Sequence, residues 1–144
     1  KTHLAAAIAN KALAGGTSVF FAVVPDLLDH LRASFAPAND AVYDELFERI
    51  RTAGLLILDD FGAQASSPWA QEKLYQIVNY RTVAGLPGVI TTDRPTSDLA
   101  ATHARVVARI ADPGHGSIIY IEAPHYRLGR MAAPRPVPPQ RRPR

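Results

Sequence analysis

Apolar positions change period several times along this chain, and each change predicts an element. Leu4, Ala5, Ile8, Ala12 and Leu13 recur at helical spacing behind Lys1-Thr2 and stop at Gly15-Gly16, a usual helix terminus. Thr17 to Val24 (TSVFFAVV) is β-branched and aromatic and predicts a strand. Pro25-Asp26 opens a short amphipathic helix through Leu27, Leu28, Leu31 and Phe35. After a loop at 36–39, Asp40 is the expected cap of a second helix, with Val42, Tyr43, Leu46, Phe47 and Ile50 as its apolar face. That helix ends near Gly54 and delivers the chain into Leu55-Leu-Ile-Leu-Asp-Asp-Phe-Gly62.

This stretch is a short continuous apolar run ending in two adjacent carboxylates, a pattern that suits a strand buried on both faces. Ser67-Pro68 reads as a cap with proline at the first helical position, and a long helix follows with Trp69, Leu74, Ile77, Val78 and Tyr80 turned inward. Pro87 to Thr92 (PGVITT) predicts another strand, ended by Asp93-Arg94-Pro95. Thr96 or Ser97 is the expected cap of a one- or two-turn helix. A further short helix carries Arg105 and Arg109, and Ser117 to Glu122 (SIIYIE) is the last expected strand. Strands alternating with helices, without an internal repeat, indicate a parallel α/β domain that binds its ligand at the carboxyl ends of the strands.

Composition narrows the function classes. With 144 residues, 47% hydrophobic and 20% charged, the chain can build one ordinary globular core. It contains no cysteine, which excludes disulfides and thiolate metal sites. No apolar run approaches the ~20 residues that span a bilayer, and the opening Lys-Thr-His with its alanine-rich helix lacks a signal-peptide pattern. The expected location is cytoplasmic, with no membrane partner. The net charge of +3 owes much to Arg135, Arg141, Arg142 and Arg144 in the acid-free tail 131–144. That Pro/Arg-rich tail is expected to be disordered, either touching phosphate backbones nonspecifically or simply solvated.

Asp59 and Asp60 carry the clearest chemistry. Side by side, with no basic residue within several positions, they either repel each other in a solvated turn or meet a cation such as magnesium on nucleotide phosphates. Lys1-Thr2 matches the last two positions of the phosphate-binding loop G-x-x-x-x-G-K-[ST], and a helix begins at once, as that motif requires. The turn Thr91-Thr92-Asp93-Arg94 either points polar side chains into the same crevice or only braces the local backbone. Arg105 and Arg109 lie four apart and share a helix face, as phosphate-binding groups or as solvated surface charges. The histidines show no metal-ligand spacing, and nothing resembles a nucleophile elbow.

Taken in order, these stretches resemble the AAA+ ATPases of the bacterial DnaC/DnaI helicase-loader group, which also contains the IstB-like transposition helper ATPases. The resemblance rests on Lys-Thr-His-Leu-Ala at the start, Val24-Pro-Asp-Leu-Leu28, Leu56-Ile-Leu-Asp-Asp-Phe-Gly-Ala63 and Trp69 to Arg81 (WAQEKLYQIVNYR). It continues through Val89-Ile-Thr-Thr-Asp-Arg-Pro95 and Arg105-Val-Val-Ala-Arg-Ile110. It implies a P-loop NTPase three-layer sandwich around a parallel sheet. The strand before the P-loop is missing from this sequence, residues 1–130 form a partial AAA+ core, and 131–144 are the tail. It also implies ATP and magnesium as cofactors. Lys1 would contact phosphates, Thr2 and Asp59 would hold magnesium, and Asp60 would stand where many relatives activate water. Asp93 takes the first-sensor position, where asparagine is usual. Arg105 would be an arginine finger acting on a neighbouring subunit, and Arg109 a second sensor in cis.

The implied activity is ATP hydrolysis in a loader that works with a replicative helicase and single-stranded DNA and self-associates through its ATP sites. The DNA expectation attaches to the helices between Asp26 and Ala53. A transposition helper is the alternative within the family, and an inactive fragment or interaction module the alternative outside it. A small-molecule kinase would need an arginine-rich lid that is not seen. Without the upstream strand and glycine-rich loop, this stretch by itself is expected to be marginally stable and to bind nucleotide poorly.

Overall fold

The computed structural model describes residues 1–34, 40–64 and 67–123, with the Asp40 side chain left aside. Phe35, the loop at 36–39, the capping role of Asp40 and the tail 131–144 therefore lie outside the described residues. The elements run α1 (Thr2–Ala14), β1 (Val19–Val23), α2 (Val24–Ser34), α3 (Asp40–Thr52), β2 (Leu55–Asp59), α4 (Pro68–Val83), β3 (Gly88–Ile90) and α5 (Thr96–Ile110). The strands form one parallel sheet in the order β1-β2-β3, with Val19 beside Leu55 and Leu58 beside Ile90.

A chain that crosses a parallel sheet steadily in one direction by right-handed connections places its crossover helices on one face. Accordingly α2, α3 and α4 share a core with α5 on one side of the sheet, while α1 packs on the other. The alternation of β2 divides between these layers. Leu56 and Leu58 enter the larger core, and Leu55 and Ile57 meet Ala5 and Ala9 of α1. All five residues of β2 are buried, as expected of a strand covered on both faces. The three-layer parallel α/β architecture is the one implied by the sequence.

Local readings hold to different degrees. Ser67 caps α4 by accepting the N–H of Ala70 at 3.2 Å, with Pro68 at the first helical position. Within the helical pattern of α1, Leu4, Ile8 and Leu13 are half exposed, and Ala5, Ala9 and Ala12 face the sheet. Methyl side chains let the helix approach β2 closely, which the bulkier stripe would prevent. On α3, Tyr43 and Ile50 are buried but Val42 is exposed. The two short helices expected after Pro95 follow each other as α5 and are parted by a kink at His103, whose φ of −131° and ψ of 42° are not helical. Neither Thr96 nor Ser97 caps it; Pro95 holds the cap position, Thr96 Oγ1 meets the Tyr120 hydroxyl at 3.0 Å, and Ser97 donates to Asp98.

The last expected strand is not formed. Residues 117–122 make no ladder, and Ile119 and Tyr120 are 80% and 73% exposed. A parallel strand needs a neighbour to satisfy its backbone groups, and among the described residues β2 is the sole partner of β3.

Candidate functional site

Strand parity builds the site. Asp59 follows Leu55 and Ile57 onto the α1 face of β2. The register that sets Leu58 beside Ile90 carries Thr91 next to Asp59, and Thr91 shares the parity of Val89, which packs in the α1-side core. Thr2, in the first turn of α1, arrives from above. Its hydroxyl donates to Asp59 Oδ2 at 2.8 Å, and the Thr91 hydroxyl donates to Asp59 Oδ1 at 2.5 Å. Asp59 is 4% exposed.

Both carboxylate oxygens are therefore satisfied by hydroxyls, and no salt bridge reaches Asp59 among the described residues. Hydrogen bonds to an ionised carboxylate belong to the strong class, which is what a buried charge requires. Thr2 Oγ1 and Asp59 Oδ2 are also two hard oxygen donors at 2.8 Å. Adjacent ligands of an octahedral ion with bonds of ~2.1 Å stand about 3 Å apart, so the pair has the spacing of two neighbouring ligands. No group of three or more His, Asp or Glu side chains able to hold a metal occurs among the described residues. An ion on this pair would complete its shell with water or phosphate.

Asp60 stands differently from its neighbour. It is exposed and adopts φ +60°, a left-handed conformation that aspartate tolerates better than most residues. The turn is pinned to β3: the Asp60 N–H donates to Thr91 Oγ1 at 3.2 Å, and the Phe61 N–H to the Thr91 carbonyl at 2.8 Å. Gly62 follows at φ +93°, where a Cβ would lie 2.7 Å from Leu99 Cδ2, so only glycine fits. The two carboxylates are thus parted, Asp59 among hydroxyls and Asp60 in solvent.

Lys1 is exposed, and its carbonyl accepts the first α1 bond, from the Ala5 N–H at 3.0 Å. Asp93 is exposed too. Its neighbour Thr92 accepts the Arg94 N–H at 3.0 Å and so braces the local turn. Thr91 is the member of that turn that reaches Asp59, a role that residue order alone does not single out but that register and parity would.

Arg105 and Arg109 lie on the distal half of α5 beyond the kink, both exposed. The Arg105 guanidinium lies 3.4 Å from the ring centroid of Tyr75 and donates to Glu72 Oε2 at 2.9 Å. The Tyr75 phenol is held below its ordinary pKa by Arg105 first and then by Arg109. The structure thus gathers the arginine pair against α4, while Thr2, Asp59 and Thr91 gather between α1, β2 and β3. The sequence pattern gave His103 no role, yet it is 4% exposed and joined to the turn after Asp60 through Gln64.

Comparison with known proteins bears on what this arrangement serves. The model of the family described as IstB-like ATP binding protein matches residues 1–111. The replicative helicase loader DnaC of Escherichia coli (strain K12) is 29% identical over 111 residues, covering 76% of this chain and 45% of that protein. DnaC of Buchnera aphidicola subsp. Baizongia pistaciae is 32% identical over 82 residues, 57% of this chain and 33% of its own length. The chain thus spans less than half the length of these two DnaC proteins. The crystal structure of DnaI superposes with a TM-score of 0.70 at 29% identity, covering 86% of this chain and 65% of that one. With three quarters of its length matched by one family model and the same fold in DnaI, the chain belongs to the IstB-like ATP binding protein family of DnaC/DnaI-type AAA+ proteins.

Proposed function

We propose that this chain is the nucleotide module of a DnaC/DnaI-like helicase loader, binding ATP with magnesium and hydrolysing it in replication. The observation that carries this reading is the contact between Thr2 and Asp59 at 2.8 Å, which joins the start of a helix to the carboxyl end of the central strand. Thr2 and Asp59 would hold the magnesium ion, which when bound would supply charge neutralisation for the phosphates. Thr91 keeps the Asp59 carboxylate turned toward Thr2. The Lys1 ammonium neutralises phosphate oxygens. Asp60, displayed by its left-handed turn, takes the proton of the attacking water. Asp93 occupies the first-sensor position.

Arg105 reaches a neighbouring subunit's phosphates and Arg109 reads the phosphate in cis, so the active form is self-associated. The partners of this reading are a replicative helicase and single-stranded DNA, the latter along α2 and α3. Its location is cytoplasmic, and no helix among the described residues is long and apolar enough to cross a membrane. The family description favours one second reading, a transposition helper on the same chemistry. ATP turnover stimulated by a replicative helicase separates the first reading from the second.

Calorimetric ATP titration with magnesium or with chelator tests the site. Wild type binds in a magnesium-dependent manner, and Asp59→Ala loses that dependence. Arg105→Ala binds normally but turns over ATP about 10³-fold more slowly, the effect of removing an arginine finger. Wild-type turnover per subunit rises with protein concentration. Absence of ATP binding even when the chain is extended upstream by the expected strand and glycine-rich loop would overturn the proposal in favour of an interaction module.

A further inference from the structure

His103 is a buried titratable side chain that the chemistry above does not use. It is also the one point in α5 where the backbone leaves helical geometry. Kinks of this kind have local causes. Here the ring packs on Phe61, with centroids 5.0 Å apart and planes at 57°, and its Nε2 lies 3.1 Å from Nε2 of Gln64. Two nitrogens at that distance must differ in role. Gln64 Oε1 accepts the Gly62 N–H at 2.9 Å, which fixes the amide and leaves its NH₂ group, a donor only, facing the imidazole. His103 Nε2 must therefore accept. The ring proton sits on Nδ1, which is buried with no hydrogen-bond partner among the described residues.

The same turn comes close to α5 again at Gly62, where an added Cβ would lie 2.7 Å from Leu99 Cδ2. Residues 60–64 are thus tied to α5 through Leu99, the His103 ring face and the His103 ring edge. Arg105 follows two residues beyond the kink. If the distal half of α5 changes direction, the imidazole swings, and Gln64 and the Gly62 N–H must follow.

We propose that Gln64 and His103 are positioning residues that couple the turn presenting Asp60 to the arginine-bearing half of α5. An arginine drawn toward a neighbouring subunit then resets Asp60 in its own. This inference rests on the function proposed above, and one arm of its test does not. Burial holds the imidazole below its ordinary pKa, in keeping with the neutral, accepting form.

The test uses the whole chain with Gln64→Leu, with His103→Phe, which keeps a ring against Phe61, and with the pair combined. Each single variant is expected to slow ATP turnover by about tenfold or more through misplacement, while ATP affinity stays within about twofold. The double variant is expected to be no slower than the worse single one, as for residues acting as a unit. Without nucleotide, hydrogen exchange at the Gly62 amide accelerates in both singles, and the imidazole ¹⁵N spectrum shows the proton of His103 on Nδ1. Multiplicative losses, altered affinity with normal turnover, unchanged Gly62 exchange or a proton on Nε2 would each overturn the coupling. If wild type neither binds nor hydrolyses ATP even when extended upstream, the proposed function falls, and the exchange and nitrogen spectra alone decide whether the turn and α5 are coupled.

Discussion

Arg81 and Asp59 are both 4% exposed, yet they stand at opposite ends of the same strands and are held by different chemistry. Arg81 lies at the amino end. Its Nη1 donates to the carbonyls of Arg51 at 3.0 Å and Ala53 at 2.7 Å, with Ile50 at 3.4 Å, and its Nη2 donates to Pro87. These carbonyls belong to the end of α3 and to the approaches of β2 and β3, where helix-terminal oxygens otherwise lack partners. A planar fork with fixed donors suits fixed acceptors. Asp59, at the carboxyl end, is held by two hydroxyls that can rotate. A buried charge locked onto backbone is architecture. One satisfied by hydroxyls on two other elements can exchange them for a cation without moving the chain.

The largest effect expected from this contrast is on folding. Arg81→Met keeps much of the side-chain volume but strands several carbonyls, at about 1–3 kcal/mol for each that stays buried, so a loss of about 3 kcal/mol or more follows. Natural domains have only about 5–15 kcal/mol to lose. Urea denaturation measures it, and a loss below about 1 kcal/mol would break the comparison.

Thr91→Val should do less to the fold and more to the chemistry. Valine keeps the β-branched shape but removes the donor to Asp59 and the acceptor of the Asp60 N–H. A stability cost of about 1–2 kcal/mol is expected, with ATP turnover lowered about tenfold because Asp59 loses its hydroxyl tie to Thr91 and the Asp60 turn keeps only the Phe61–Thr91 backbone bond. Equal turnover in wild type and variant would show that Asp59 needs only Thr2.

These two residues also mark what the sequence makes legible. β2 is readable because every one of its neighbours is apolar or chemically distinctive, and Thr2 with Asp59 follow from a motif and a strand end. Thr91 needs the β2–β3 register, a fact about pairing between distant segments. Arg81 falls on the buried stripe Ala70, Leu74, Ile77, Val78, so its burial is open to periodicity, but most of its acceptors lie about thirty residues upstream, at and just past the end of α3. The buried face of α1 is not legible in the pattern, because alanine and leucine stripes are equally apolar, and only the distance to the sheet chooses between them. Residues 117–122 carry strand propensity without a strand to pair with, and propensity does not supply a partner. His103 and Gln64 escaped because a lone histidine on an apolar face has no spacing signal.

The smallest effect concerns His103, the third buried polar side chain, which unlike Arg81 and Asp59 excludes charge instead of holding it. Burial keeps its ring below the ordinary imidazole value of about 6.5. In the unfolded chain the imidazole takes up a proton near that pH, whereas the folded protein resists protonation until a lower pH. Between the two values the unfolded state binds more protons, so stability falls as pH falls, by at most about 1.4 kcal/mol per pH unit for one group. Well above pH 6.5 both states are neutral and the dependence vanishes. Asp112 acts in a separate, more acidic window: its carboxyl is held below the ordinary value by the Gly114 N–H and then by His115, and that stability is lost only as pH falls through the carboxylate range. Urea titrations of wild type and His103→Phe at pH 7.5 and 5.5 isolate the histidine. Wild type should lose more stability than the variant between the two. Identical losses would mean that the ring is not kept neutral, and the fixed orientation of Gln64 against it would be wrong.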